Sequence, residues 1–377
     1  MVEIVEVRTN KQLKTFMDLP NRIYKGDPNY VPGLYSSIKS TFDRDKYPFF
    51  KRSEADFFLA YKNKEPAGRI AAIRNNSHIY YNGENSGFFG FFESIEDYDV
   101  AKALIDRVVK WCRDELLDTV TGPENYTTND SVGFLTSGFD SPPVFMMPFN
   151  KRYYNDFFER YGFHKKLDLV SYLIPSNETP GKLVPVLKRI ESRLKSNSIS
   201  IRPLKMADFE REMRRFREIY NEAYKDNWGF VPLEEDEFMQ EARGLKKIAD
   251  PGLILLAEKD DRLIAFICAI PDINQVLIRI RNGRLFPYGL FKLLLYRNKI
   301  NRLRILILGV LEEFRGQGID AVLYSRLFEY SRAHRIYSAE AAYVMENNIP
   351  MIRVLEGLGG QASKKYRLYE FDLTSQA

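Results

Sequence analysis

The first residues in this chain whose types and spacing could do chemistry are an arginine and two glycines set between two apolar runs. Arg315-Gly316-Gln317-Gly318 follows Ile305–Val310, an apolar, β-branched run that reads as a buried strand. From Ile319 onward, Val322, Leu323, Leu327 and Phe328 fall at the i, i+3, i+4 spacing of a helix that buries one face. A strand, a glycine-bearing loop and a helix start make an anion site. The first amides of a helix lack intrahelical acceptors, and the helix dipole favours negative charge there. The loop is too short for a lysine-bearing Walker A loop and lacks the three glycines of a dinucleotide fingerprint. Read alone, it is equally a strand-to-helix turn that uses glycine for its backbone freedom.

Other chemistries are poorly supplied. His78, His164 and His334 are scattered without zinc-type spacing, so no metal is expected. Cys112 and Cys268 sit in apolar patterns and read as buried thiols. A net charge of +5 over 377 residues accommodates an anionic ligand or a membrane surface without demanding nucleic acid, and none is expected as a partner. No run approaches 18 apolar residues, and the first eight residues alternate like a strand rather than a signal peptide. The expectation is a cytoplasmic protein, peripheral to the inner face of the membrane if it touches one. Aromatic residues make up 14% of the chain and gather in its first half, as a greasy groove or as large core side chains.

The elements that must position the loop come in two rounds. Asp56–Tyr61 and Gly68–Arg74 read as a hairpin, Gly87–Glu93 as an aromatic strand, and Tyr98–Leu117 as a long amphipathic helix. Lys151–Tyr161 is a helix stopped by Gly162, and Asp168–Ile174 is a strand. The polar, proline-flanked stretch 175–180 and the basic helix Lys182–Lys195 separate this from a second round. That round has a hairpin at Leu253–Glu258 and Leu263–Ile270, the loop and its helix, strand Tyr337–Met345, helix Ile349–Leu358 and strand Tyr366–Leu373. The same spacing, 197 residues, separates Ala60 from Ala257 and Gly162 from Gly359. The chain therefore reads as two copies of one α/β unit, 1–174 and 199–377, joined by 175–198.

This order of elements, with Arg315-Gly316-Gln317-Gly318-Ile319-Asp320 after the fourth strand of the second copy, resembles the GNAT superfamily of acyl-CoA N-acyltransferases. The family pattern is Arg/Gln-x-x-Gly-x-Gly/Ala; Asp320 departs from it at the last position. The fold class implied is α/β (α+β), a tandem repeat of two GNAT-like mixed-sheet units. The resemblance implies acyl-CoA, acetyl or longer, as co-substrate. Its pyrophosphate would lie on the amides of Gly316, Gln317, Gly318 and Ile319 beside Arg315, and its pantetheine along the Leu308, Gly309 and Val310 backbone. In the first copy the matching helix follows Glu96, Asp97 and Asp99 without a glycine loop. These charges would repel phosphate, so this copy reads as degenerate and shapes a substrate groove or serves the fold alone. The tandem form also looks like two-domain bacterial acyltransferases that include bacterial ceramide synthase-type enzymes. That likeness rests on Gly90-Phe91-Phe92-Glu93, Gly122-Pro123-Glu124-Asn125, Tyr153-Tyr154, Pro271-Asp272-Ile273-Asn274-Gln275 and Met345-Glu346-Asn347-Asn348.

Acyl transfer from a thioester to an amine requires a base for the amine, a donor for the oxyanion and a proton for the thiolate. Glu340, on the strand after the loop's helix, is the first candidate base and Asp272 the second. Alternation places Glu340 with Ala342 and Val344, where a carboxylate serves equally as a base or as a satisfied core ion pair. The Val310 amide is the expected oxyanion donor. In the superfamily a tyrosine on the last helix often protonates the thiolate. Leu355 stands there, leaving Tyr343 or Tyr324 for the role. Asn347 or Asn348 is expected to bond the pantetheine arm, or else to cap the helix before Pro350.

The insertion Arg279–Arg304 mixes Arg279, Arg281, Arg284, Lys292, Arg297, Lys299, Arg302 and Arg304 with Phe286-Pro287-Tyr288-Gly289-Leu290-Phe291 and Leu293-Leu294-Leu295. It reads either as a membrane-surface segment over 284–300 or as a helix packed on the body with a solvated basic face. Three functions stand open: an acyl-CoA-dependent N-acyltransferase on a small-molecule amine, the same reaction on a long-chain amino-lipid at a membrane surface, and a non-catalytic ligand-binding or regulatory protein.

Overall fold

Both expected hairpins form, and they turn in the same way. Asn63-Lys64 and Asp260-Asp261 are two-residue loops in which both residues adopt positive φ, 53° and 67° in one and 50° and 61° in the other. That backbone matches the right-handed twist of the flanking strands, so the loop fixes the register of each hairpin. The computed structural model describes residues 1–176, 181–246, 249–280 and 282–374. Residues 177–180 of the expected junction and Arg281 of the insertion lie outside these.

The first round runs β1 (Val2–Glu6), α1 (Asn10–Ile23), α2 (Tyr35–Thr41), β2 (Glu54–Lys62), β3 (Glu65–Arg74), α3 (Asn76–Asn82), β4 (Ser86–Ser94), α4 (Tyr98–Asp114), β5 (Thr119–Gly122), β6 (Phe134–Ser137), α5 (Tyr153–Tyr161) and β7 (His164–Pro175). After α6 (Val184–Ser196) come β8 (Ile199–Pro203), α7 (Phe209–Tyr224), α8 (Glu235–Leu245), β9 (Ile254–Lys259), β10 (Arg262–Pro271), α9 (Asn274–Leu277), α10 (Gly289–Tyr296), β11 (Arg302–Val310), α11 (Ile319–Ala333), β12 (Ser338–Met345), α12 (Ile349–Gly357) and β13 (Gln361–Asp372). Two compact units result. Unit 1 is Met1–Leu169 with Asn274–Asn298 and Lys364–Ala377; unit 2 is Val170–Ile273 with Lys299–Ser363.

In unit 1, β1 to β4 pair antiparallel in order, and β4 pairs parallel with β5 from Ser86↔Thr119 to Phe88↔Thr121. The next neighbour of β5 is the end of β13, paired antiparallel from Tyr369↔Gly122 to Asp372↔Thr119. The sequence reading closes each copy with its own last strand; here the closing strand of unit 1 comes from the chain's far end. The apolar stripe of α4, including Leu104, Val108 and Trp111, covers one sheet face. Phe16, Phe57, Phe88 and Tyr126 fill the other. The first-half aromatics are thus mainly core: Phe58, Phe88 and Phe158 are wholly buried.

In unit 2, β8 to β11 pair antiparallel in order, β11 pairs parallel with β12, and β12 has β7 as its other neighbour. Val322, Leu323, Leu327 and Phe328 of α11 pack on Leu255, Ala257, Ile264 and Ile305. Phe209, Met213, Phe216 and Tyr220 of α7 cover Leu256 and Phe266 on the other face. Fully burying a leucine or phenylalanine contributes roughly 1.5–3 kcal/mol. The sheet in each unit is thus fixed from both sides, and the loop at the end of β11 has a rigid base.

Candidate active site

The parallel pairing of β11 with β12 is short. It runs from Arg302↔Ser338 to Ile305↔Ala341 and then stops, so the two strands fork. A register shift between Cys268 and Ala269 places an extra residue, Leu306, in β11 at this point. A bulge bends its strand and ends pairing. Above the fork, Leu308 stays in register with Ile267 of β10, but the pairing with β12 has ended. Its N–H donates to the Tyr224 hydroxyl at 3.3 Å, and that hydroxyl donates to the Leu308 carbonyl at 2.9 Å. Burial pushes the Tyr224 phenol up, which keeps its proton in place. One hydroxyl thus does what the edge of a partner amide would do. Sequence reasoning missed Tyr224, because a tyrosine ending an amphipathic helix reads as core.

The loop follows. Leu311 is buried, Glu312–Phe314 makes one 3-10 turn, and Gly316 and Gly318 take left-handed φ values of 73° and 80°. Such values cost other L-residues about 1–2 kcal/mol. A Cβ on Gly316 would meet nothing within 4 Å, whereas one on Gly318 would lie 2.9 Å from Ile190 Cδ1. Arg315 is exposed, and its Nε donates to the Val310 carbonyl at 3.3 Å. The helix α11 begins at Gly318 with no side-chain cap. Among the described residues no acceptor takes the amides of Gly316, Gln317, Gly318 and Ile319, a state that suits a phosphate. Asp320 stands half-buried in the first turn and does not cap the helix.

The basic helix α6 braces this loop. Ile190 packs at Gly318, Arg193 Nη2 donates to the Gln317 carbonyl at 2.6 Å, and Arg326 pairs with Glu191 at 2.7 Å. The basic helix is visible in the sequence, but its contact with the loop is long-range and left no mark in spacing.

Glu340 lies one rung below the fork, level with Arg304, and is 2% exposed. Ser171 Oγ donates to its Oε1 at 2.7 Å, and Arg302 Nη1 lies 3.9 Å from its Oε2. Its carboxylate is thus held in a buried cluster with Ser171, Arg302 and the buried Arg304. Asp272 is also buried, but it sits level with Arg302, where its N–H donates to the Arg302 carbonyl. Three residues of strand place Arg302 about 10 Å below Ile305 and the fork. Tyr343 is half-buried on β12, and Asn347 is exposed. Asn348 is the N-cap of α12, accepting from the Met351 N–H at 3.2 Å, with Pro350 at the second helical position. Leu355 is wholly buried in the core, and the Tyr324 hydroxyl faces Met351 Sδ at 3.7 Å.

The corresponding fork of unit 1 is filled by its own chain. Beyond Phe88↔Thr121 the Glu124 N–H donates to the Phe89 carbonyl at 2.8 Å, and Asn125 Oδ1 accepts from the Phe91 N–H at 2.8 Å. The Tyr154 hydroxyl bonds both the N–H and the carbonyl of Ser94. Asp97 caps α4, accepting from Asp99 and Val100, and it is paired with Lys62.

Residues 213–359 match the model of the acetyltransferase (GNAT) family. The chain is 32% identical over 380 residues to Protein YghO of Escherichia coli (strain K12), covering 97% of this chain and 95% of that protein. It is 31% identical over 379 residues to the bacterial ceramide synthase of Caulobacter vibrioides (strain NA1000 / CB15N), covering 98% and 97%. Among solved structures, it shares its fold with a tandem GNAT protein from the clavulanic acid biosynthesis pathway (TM-score 0.58, 12% identity, 99% of both chains). The same holds for a GCN5-related N-acetyltransferase from Sphaerobacter thermophilus (TM-score 0.54, 13% identity, 99% and 96%). With an uncapped glycine loop above one forked strand pair, and kinship along nearly its whole length, the chain belongs to the GNAT family of acyltransferases in its tandem form.

Proposed function

We propose that the chain moves an acyl group from a CoA thioester to the primary amine of a long-chain amino-lipid. The observation that carries the CoA assignment is the loop. Two left-handed glycines and an uncapped helix start lie above a fork where the Tyr224 hydroxyl takes both backbone groups of Leu308. Gly316, Gln317, Gly318 and Ile319 would hold the pyrophosphate through their amides, with Arg315 beside them. Leu308, Gly309 and Val310 would present backbone to pantetheine once Tyr224 moves aside. CoA supplies the activated acyl group; the protein supplies orientation and proton handling. The Val310 amide is the proposed oxyanion donor. Glu340, the candidate carboxylate nearer the fork, is the proposed base, with Asp272 its alternative and Tyr343 the proposed proton donor to sulfur. The lipid acceptor is supported by the relative named as a ceramide synthase.

A thiol-release assay with acetyl-CoA and long-chain acyl-CoA, run against short amines and sphinganine, tests this reading. Release that depends on sphinganine is expected. Glu340→Gln should lower kcat and leave the KM for acyl-CoA unchanged; an equal loss of stability and CoA affinity would mark Glu340 as an ion-pair residue only. Asp320 in the first turn and Leu355 in place of a tyrosine favour a second reading, a binding protein without turnover. CoA binding without release under any amine would establish it.

A further inference from the structure

The helix α10 is apolar except for Lys292, yet one side of it is not covered. Leu290 and Leu293 are half-buried toward the body, where Arg279 lies over the Tyr296 ring at 4.5 Å. The segment is anchored on unit 1: the Tyr35 N–H donates to the Gly283 carbonyl, and Asn274 Nδ2 donates to the Pro143 carbonyl. The outer side carries Phe286, Tyr288, Phe291, Leu294 and Leu295, which are 77%, 75%, 72%, 52% and 67% exposed. Tyr288, Phe291 and Leu295 follow one another at three and four residues, so they share a face. A helix with apolar residues on this many positions is ordinarily buried. Five neighbouring large apolar side chains held in water therefore mark a surface that something covers.

The charge pattern says what covers it. Between Asp272 and Glu312 there is no acidic residue, and Arg284, Lys292 and Arg297 are exposed around the aromatic cluster. A second copy of this chain would bring the same arginines and lysine against each other across a two-fold axis, where like charges repel. An anionic lipid bilayer complements both features: acyl chains take the rings and leucines, and headgroups take the guanidinium and ammonium groups.

We propose that Phe286–Arg297 is an interfacial anchor that seats unit 1 on an anionic bilayer surface. Phe291, Leu294 and Leu295 enter the headgroup–acyl boundary, while Arg284, Lys292 and Arg297 stay at headgroup level. No helix among the described residues is long and apolar enough to cross a membrane. Attachment is therefore peripheral and weakens with salt. The anchor does not depend on the CoA assignment, because vesicle binding needs no turnover.

The test is flotation of the full chain with vesicles of phosphatidylglycerol and phosphatidylcholine against pure phosphatidylcholine. The expected result is binding to the anionic vesicles that falls at least tenfold in 0.5 M salt. The double variant Phe291→Asp/Leu295→Asp should abolish binding while the thermal melt and elution volume stay as in wild type. Lys292→Glu/Arg297→Glu should weaken it and erase its salt dependence. Equal binding by wild type and the Asp variant would overturn the proposal. So would a wild type that ignores both vesicles and elutes as a concentration-dependent dimer dispersed by the Asp variant.

Discussion

The two forks are built to one plan and finished in opposite ways. In unit 1 the helix after the fork starts under an aspartate that caps it and is itself paired with Lys62. In unit 2 the helix starts after a left-handed glycine and carries no side-chain cap. In unit 1 the main chain beyond the fork is satisfied by Glu124, by Asn125 and by the Tyr154 hydroxyl. In unit 2 the Tyr224 hydroxyl takes both backbone groups of Leu308, and the exposed Arg315 takes the Val310 carbonyl. Matched rungs differ as well. Arg69 faces Glu93 across unit 1, and Phe266 faces Gly309 across unit 2. A Cβ at Gly309 would come within 2.7 Å of the Phe266 ring, so the glycine allows the ring to lie flat on the strand. Buried helix ends and backbone groups need partners. The unit 1 fork finds these partners within its own unit, and the fork proposed to hold CoA is the one whose helix start has no side-chain cap.

The largest effect is expected at Gly316. Gly316→Val forces a β-branched residue to φ 73° in open space, so it disturbs the loop without a clash. Affinity for acetyl-CoA by calorimetry should fall at least about 100-fold, with a loss of stability of only about 1–2 kcal/mol. The opposite finish can be undone at Asp97. Asp97→Ala removes the α4 cap and should cost about 1 kcal/mol in urea unfolding. It should leave CoA affinity unchanged, since Lys62 and the filled fork remain. Asp320→Asn removes a negative charge from the first turn of α11 and should tighten CoA binding about two- to fivefold, an effect that shrinks with added salt.

The smallest effect is at Glu124. Its carboxyl is wholly buried with no hydrogen-bond partner among the described residues, and burial, aided by the charge of Asp130, pushes it well above the ordinary carboxylate range. An acid raised in the folded state binds more protons folded than unfolded, so wild-type stability falls as pH rises above about 4. Glu124→Gln removes that slope. Melts of the two proteins should coincide at pH 4, and the variant should melt higher at pH 7. A variant that melts below wild type at pH 7 would show that Glu124 is charged and paired.

Much of this is legible in the amino-acid sequence. The hairpins, the 197-residue spacing and the glycine loop are local patterns, carried by alternation, turn residues and helical spacing. What stayed hidden is non-local. Both closing strands alternate alike, so nothing in β7 or β13 tells which of them lies beside β5. Helices α2 and α3 and strand β6 are too short to show a period. Asn348 followed the capping alternative foreseen for it, while Pro350 took the second rather than the first helical position. The ring of partners around Glu340 joins Ser171 on β7 to residues of β11, and only strand order brings them together.

On the function proposed above, one fork of the two holds the thioester. This is tested most directly by titrating the full chain with acetyl-CoA in a calorimeter and reading the stoichiometry. One molecule per chain is expected, lost with Gly316→Val and kept with Asp97→Ala. Two molecules per chain, or one that survives Gly316→Val, would contradict the account.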